Sequence, residues 1–126
     1  MMIKKIPEAE LKVMKFIWKM NKSVSSKEVI IAMEEQFSWK QTTTLTLLAR
    51  LVKKRFLSSE KIDRFTHYTV LIGEEEYKNF ETKNFFGIIH DNSKESLMAS
   101  LYADDIVSEE TLEFFNEDFN KTKDDE

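Results

Sequence analysis

From Gln41 to Lys54 the chain reads Gln-Thr-Thr-Thr-Leu-Thr-Leu-Leu-Ala-Arg-Leu-Val-Lys-Lys, a run with hydroxyls and cations and no acid. At helical spacing Thr43, Thr46, Arg50 and Lys53 recur at three- and four-residue steps and share one stripe, while Leu47, Leu48, Leu51 and Val52 line the other side. The apolar side suits a core. The polar side suits a DNA groove, because Thr and Arg hydrogen-bond base edges and phosphates and a face without carboxylates is not repelled by the duplex. An ordinary amphipathic helix with a solvated side has the same pattern, but β-branched Thr is a poor helix former, so Thr42, Thr43 and Thr46 so close together call for a reason. Lys40, Gln41, Arg50, Lys53, Lys54 and, further on, Arg64 complete a set suited to base and phosphate contact, with Arg50 equally able to join an internal ion pair.

Other chemistries find little support. With no Cys there is no disulfide, thiolate metal site or cysteine nucleophile. His67 and His90 lie far apart, with no Cys or carboxylate at ligand spacing, and read as wing or surface residues rather than metal ligands. Glu74-Glu75-Glu76 and Asp104-Asp105 are adjacent acids that point in different directions on a helix, so neither forms a catalytic pair. There is no Gly-rich phosphate loop, serine elbow or zinc-protease motif. The expectation is a non-enzyme with no catalytic residue, metal or cofactor.

The elements that must position the polar stripe follow from capping and periodicity. Pro7 can open a first helix, with Glu8 and Glu10 at its positive end and Leu11, Met14, Ile17 and Trp18 as its apolar face, ending at Asn21-Lys22. Ser25-Ser26-Lys27-Glu28 fits a capping box for a second helix carrying Val29, Ile30 and Met33, and Ser25 at that N-terminus could also help to hold a phosphate. The Thr-rich helix ends near Arg55. The period then changes: residues 56–62 and 65–70 read as two short strands rich in aromatic and β-branched residues, joined by Asp63-Arg64. Three helices and a hairpin make a winged helix-turn-helix, whose third helix enters the major groove and whose wing tip would carry Arg64.

Beyond Gly73 the helical period returns in Tyr77, Phe80, Asn84 and Ile88, with Phe85 and Ile89 alongside. A further segment carries Leu97, Met98, Leu101 and Tyr102, and another opens at Ser108 and carries Leu112, Phe115 and Phe119. Helices this short cannot bury such faces alone, so they must fold on the winged helix or on a second copy. The reading is therefore a mainly α chain with a winged-helix DNA-binding domain at 1–72 and a helical dimerisation region at 73–126 with a frayed acidic tail.

Charge divides the same way. The 126 residues carry a net charge of −4, but residues 1–72 hold 14 Lys/Arg against 7 Asp/Glu, a net of +7, and residues 73–126 hold 5 against 16, a net of −11. The first half suits a polyanion despite the overall acidity, since local field governs contact. Lys4 and Lys5 precede no apolar run, and no stretch approaches the roughly 20 apolar residues of a membrane span, so the expected location is the cytoplasm, without direct membrane insertion.

The ordered set of residues resembles the BlaI/MecI family of bacterial repressors of β-lactamase and methicillin-resistance genes. It rests on Ile6-Pro7-Glu8-Ala9-Glu10-Leu11-Lys12-Val13-Met14, on Trp18, on the run from Thr42 to Lys54, on Arg64-Phe65-Thr66-His67-Tyr68, on Gly73-Glu74-Glu75-Glu76-Tyr77 and on Ser108-Glu109-Glu110-Thr111-Leu112. The resemblance implies a homodimer whose winged helices bind a palindromic double-stranded operator and whose C-terminal helices, here with Phe85, Ile88, Ile89, Leu97, Leu101, Tyr102, Leu112, Phe115 and Phe119, interlock two chains. It also implies release by proteolysis, triggered by a membrane sensor with a metalloprotease domain.

The chain departs from the family pattern at four places. The family's Asn-Phe cleavage bond aligns with Ser100-Leu101, and its Ser-Pro-Lys-Thr opening with Lys40-Gln41-Thr42-Thr43. Leu45 stands where some members have a polar reader, and Arg55 where a Gly often ends the helix. A different operator is expected. Two alternatives stay open: a winged helix used as a protein-interaction or dimerisation module, and a repressor released by a small ligand instead of proteolysis.

Overall fold

The computed structural model describes residues 2–103 and Glu110. The elements run in the order α1 (Glu8–Met20), β1 (Val24–Ser25), α2 (Ser26–Phe37), α3 (Gln41–Lys53), β2 (Leu57–Ile62), β3 (Phe65–Val70), α4 (Glu74–His90) and α5 (Lys94–Ala103). This is the expected mainly α winged helix, with one addition. The two residues of β1 pair antiparallel with β3, Val24 opposite Tyr68 and Ser25 opposite His67, so the hairpin becomes a three-stranded sheet in the order β1-β3-β2. Two residues are too few to show a period-2 pattern, which is why the sequence shows only the cap that follows them.

Local chemistry sets most of the boundaries. Pro7 is the N-cap of α1, with extended ψ of 159°, and Asn21 closes that helix in the left-handed region at φ 54°. Ser25 caps α2 reciprocally: its hydroxyl accepts from the Glu28 N–H while its own N–H donates to the Glu28 carboxylate. At the end of α3 the Phe56 N–H donates to the Leu51 carbonyl and the Arg55 N–H to the Val52 carbonyl, a Schellman closure with Arg55 at φ 64°. A residue with a Cβ is strained there. The wing turns through Asp63, at φ 58°, between the Ile62–Phe65 pair of the β2–β3 ladder.

The core unites the faces that the sequence marks as apolar. Val13, Met14 and Ile17 of α1, Val29 and Met33 of α2, and Leu47, Leu48 and Leu51 of α3 are buried with Val24, Phe56, Leu57 and Tyr68. Among the described residues Phe56 is the largest fully enclosed side chain. By area arguments each buried Leu, Ile or Phe contributes about 1.5–3 kcal/mol, enough together to fix where α3 lies and which face it turns outward.

The chain forms two compact units, Met1–Phe80 and a second beginning at Glu81. The expected division at 72/73 differs by eight residues because the first turns of α4 are part of the winged-helix core. Tyr77 is buried, its ring lies 5.4 Å edge-on from Phe56 and 6.0 Å from Trp18, and its hydroxyl accepts from the Ile6 N–H at 3.1 Å. Trp18, half-buried against this core, donates its indole N–H to the Ile72 carbonyl. In the second unit Met98 is buried and so is His90, whose Nδ1 lies 2.8 Å from the Ser96 hydroxyl with the Phe85 ring at 5.1 Å. His90 is thus not the surface residue expected; the tight turn through Asp91 and Asn92 folds α5 back against it.

Candidate nucleic-acid interface

On α3 the buried residues are Thr44, Leu47, Leu48 and Leu51, and the outward arc is Gln41, Thr42, Thr43, Leu45, Thr46, Ala49, Arg50 and Lys53. The helix N-cap is Lys40, there is no acid in the first turn, and Arg50 and Lys53 occupy the last turn. Among the described residues the side chains of Lys40, Gln41, Thr42, Thr43, Arg50 and Lys53 have no hydrogen-bond or ion-pair partner within the protein. Their donors are free for one outside it. Thr42, Thr43, Thr46, Leu47 and Arg50 line a shallow depression of about 270 Å3 on this face. Arg64 is exposed in the wing turn, as the hairpin register requires.

Three residues differ from the sequence expectation. Lys54, expected to meet phosphate, turns inward and places Nζ 2.7 Å from Oε1 of Glu10, which is 1% exposed. The internal ion pair considered for Arg50 therefore belongs to Lys54, because the α3 turn at 54 faces α1 and the turn at 50 faces solvent. A buried carboxylate needs a charge-assisted partner, and Lys54 supplies it while tying the C-terminal end of α3 to α1. Ser25 uses both its hydroxyl and its N–H in the capping box, and the Glu28 carboxylate sits on the same helix N-terminus, an unfavourable neighbour for phosphate. Thr46 donates its hydroxyl to the Thr42 carbonyl at 2.9 Å, leaving an acceptor lone pair and a methyl group for a partner.

Two residues enter the interface that the sequence pattern did not single out. Lys27, exposed in the first turn of α2, holds its ammonium 5.9 Å from the centre of the Phe65 ring at the base of the wing tip. The contact spans 38 positions, so no spacing rule could reveal it; only the sheet brings the wing beside α2. Elsewhere, a cavity of about 540 Å3 lies among Ile17, Trp18, Val70 and the start of α4. Its carboxylates are engaged locally, Glu74 and Glu75 with Lys78 and Glu76 with the Gly73 N–H. Burial raises the Tyr68 hydroxyl above its ordinary pKa of 10.0, which keeps this core ring neutral. Among the described residues no His, Cys, Asp and Glu cluster could hold a metal and no helix is long and apolar enough to cross a membrane.

A three-helix unit with a β-wing, whose third helix is anchored on one face and presents hydroxyls and unpaired cations on the other, is a winged helix-turn-helix of the DNA-binding class. Known proteins agree. A sequence model of the penicillinase repressor family matches residues 6–119. The penicillinase repressor of Bacillus licheniformis is 34% identical over 113 residues, covering 87% of this chain and 88% of the relative. The methicillin resistance regulatory protein MecI of Staphylococcus aureus is 30% identical over 116 residues, covering 92% and 94%. The solution structure of the DNA-binding domain of the repressor BlaI superposes with a TM-score of 0.55 at 41% identity, over 60% of this chain and 92% of that one. Monomeric Bacillus licheniformis BlaI in complex with the blaP half-operator gives 0.52 at 39% identity, with the same coverage. The chain belongs to the penicillinase repressor family, a family of DNA-binding transcriptional repressors rather than enzymes.

Proposed function

We propose that the chain represses transcription as a homodimer, each copy laying the outer face of α3 in the major groove of one half of a palindromic operator. Thr42, Thr43, Thr46 and Gln41 read base edges, and Lys40, Arg50, Lys53 and the wing's Arg64 meet phosphates. The observation that carries this reading is the unpaired, acid-free arc of α3 on a helix locked in place from behind by Leu47, Leu48, Leu51 and the Lys54–Glu10 pair. The half-operator complex of BlaI supports DNA binding by analogy. Ser25 and Lys54 act behind the interface, the one starting α2 and the other bracing α3.

The dimer reading rests on the second unit. Phe85, Ile88, Ile89 and Tyr102 are exposed in the single chain, with Ile88 at 68%, and Leu97 and Leu101 are half-covered. Such apolar exposure is what an isologous dimer would cover. Leu112, Phe115 and Phe119, also expected there, lie outside the described residues. Release by proteolysis at Ser100-Leu101 would require α5 to unwind, since both residues are helical and the Ser100 hydroxyl donates to the Ser96 carbonyl. A sensor-protease pathway is therefore a proposal about that helix, and a small-ligand release keeps the helix intact.

The test is titration of the full chain against duplexes it selects from a randomised pool, at several salt concentrations. A steep log-log salt slope, with about 0.9 per phosphate contact, and enrichment of an inverted repeat are expected. Equal binding to every sequence, or none to any, overturns the reading.

A further inference from the structure

The helix that faces DNA is not uniformly polar. Leu45 stands 37% exposed on the outer arc of α3, and at helical spacing Ala49 lies one turn beyond it and Thr46 beside it. A single exposed Leu is ordinary on a protein surface; what marks this one is its place among the hydroxyls of the outer arc. Thr46 contributes to the same patch, because its hydroxyl proton is bound to the Thr42 carbonyl. Charge points the same way: from Gln41 to Ala49 there is no Arg or Lys, so a cation on O6 and N7, the commonest contact to guanine, could come only from Lys40 or Arg50 at the edges of this stretch and not from the turn that carries Leu45. Gln41, at the N-terminal end of the same flank as Leu45, has the paired donor and acceptor that match adenine.

We propose that Leu45, supported by Ala49 and the Thr46 methyl, reads the 5-methyl groups of thymine in the operator half-site. The claim rests on the placement of α3 in the major groove given above and adds which chemical feature of the base is recognised there. An A·T pair is the one that offers a methyl group to an apolar contact and an N6/N7 edge to an amide. Leu45 is then a specificity residue.

Deoxyuridine tests this directly, because replacing thymine by uracil removes the methyl and leaves pairing and every hydrogen-bonding group unchanged. The full chain first selects duplexes from a randomised pool; each thymine of the selected half-site is then replaced singly by deoxyuridine and affinity is measured at fixed salt. At one or two positions per half-site the affinity should fall about three- to fivefold, the value of one buried methyl group. The same replacements should have no effect on the Leu45→Ala protein. Leu45→Ala leaves the core untouched and favours the helix, and circular dichroism confirms its fold. Deoxyuridine duplexes bound as tightly as thymine duplexes by the wild-type chain overturn the proposal while leaving operator binding intact. Absence of any sequence enrichment overturns operator recognition as well.

Discussion

The two units differ in where they leave apolar residues exposed. Within Met1–Phe80 the large side chains of α1, α2 and α3 close over Phe56 and Tyr77, the outer face of α3 carries hydroxyls and unpaired cations with Leu45 among them, and Ile31, Ile62, Phe65 and Leu71 are exposed elsewhere. From Glu81 onward Met98 and His90 are buried, but Phe85, Ile88, Ile89 and Tyr102 are exposed. The first unit leaves unpaired cations on one helix face, suited to a polyanion; among the described residues the second leaves an uncovered apolar stripe on α4. Exposure of the wrong sort for water is the informative feature in each case.

The comparison is broken most severely at Lys54. If Lys54 braces the fold and Lys53 meets DNA, Lys54→Ala strands the Glu10 carboxylate in the core and lowers stability by about 3–5 kcal/mol, read as a shifted denaturant midpoint. Glu10→Gln in the same background should restore part of the loss. An unshifted midpoint with weakened DNA binding would return Lys54 to the interface.

Next in size is Ile88→Asp. Placing a charge in the exposed stripe of α4 should turn dimers into monomers by sedimentation velocity and cost operator affinity through lost bivalency, about 100-fold or more, without altering the near-ultraviolet spectrum of the Trp18 region. A dimer that survives the substitution would mean that another surface joins the chains.

Lys53→Ala should leave stability unchanged and reduce the salt slope of DNA binding by about one. Its contrast with Lys54→Ala separates two neighbouring lysines by the side of α3 on which each lies. Smaller still is Arg55→Gly, which relieves the left-handed backbone at the end of α3 and should stabilise the winged helix by about 0.5–1 kcal/mol in thermal melts.

The slightest effect concerns pH. Tyr68 has its folded pKa raised by burial above the unfolded value of 10.0, so its contribution is intact below that pH. Above it the unfolded chain ionises first and stability falls. In Tyr68→Phe the part of the alkaline decline due to this ring should vanish; an unchanged decline would assign it wholly to other groups.

Much of this molecule is legible in its sequence because the signals are local. Pro7, the Ser25–Glu28 box, the Thr42-to-Lys54 periodicity and the Asp63-Arg64 turn act over a few residues, where capping and amphipathic spacing are specified by side-chain chemistry alone. The acid-free arc of α3 is legible for the same reason, since a helix fixes which residues share a face. Where long-range packing decides, sequence spacing has nothing to say. Only the tertiary structure assigned Lys54 to Glu10, 44 positions away, placed Tyr77 and Phe80 in the winged-helix core, paired β1 with β3 and set Lys27 over Phe65. A buried carboxylate has to find a cation somewhere, but its position in the chain does not say which one; folding chooses the partner by bringing it within reach.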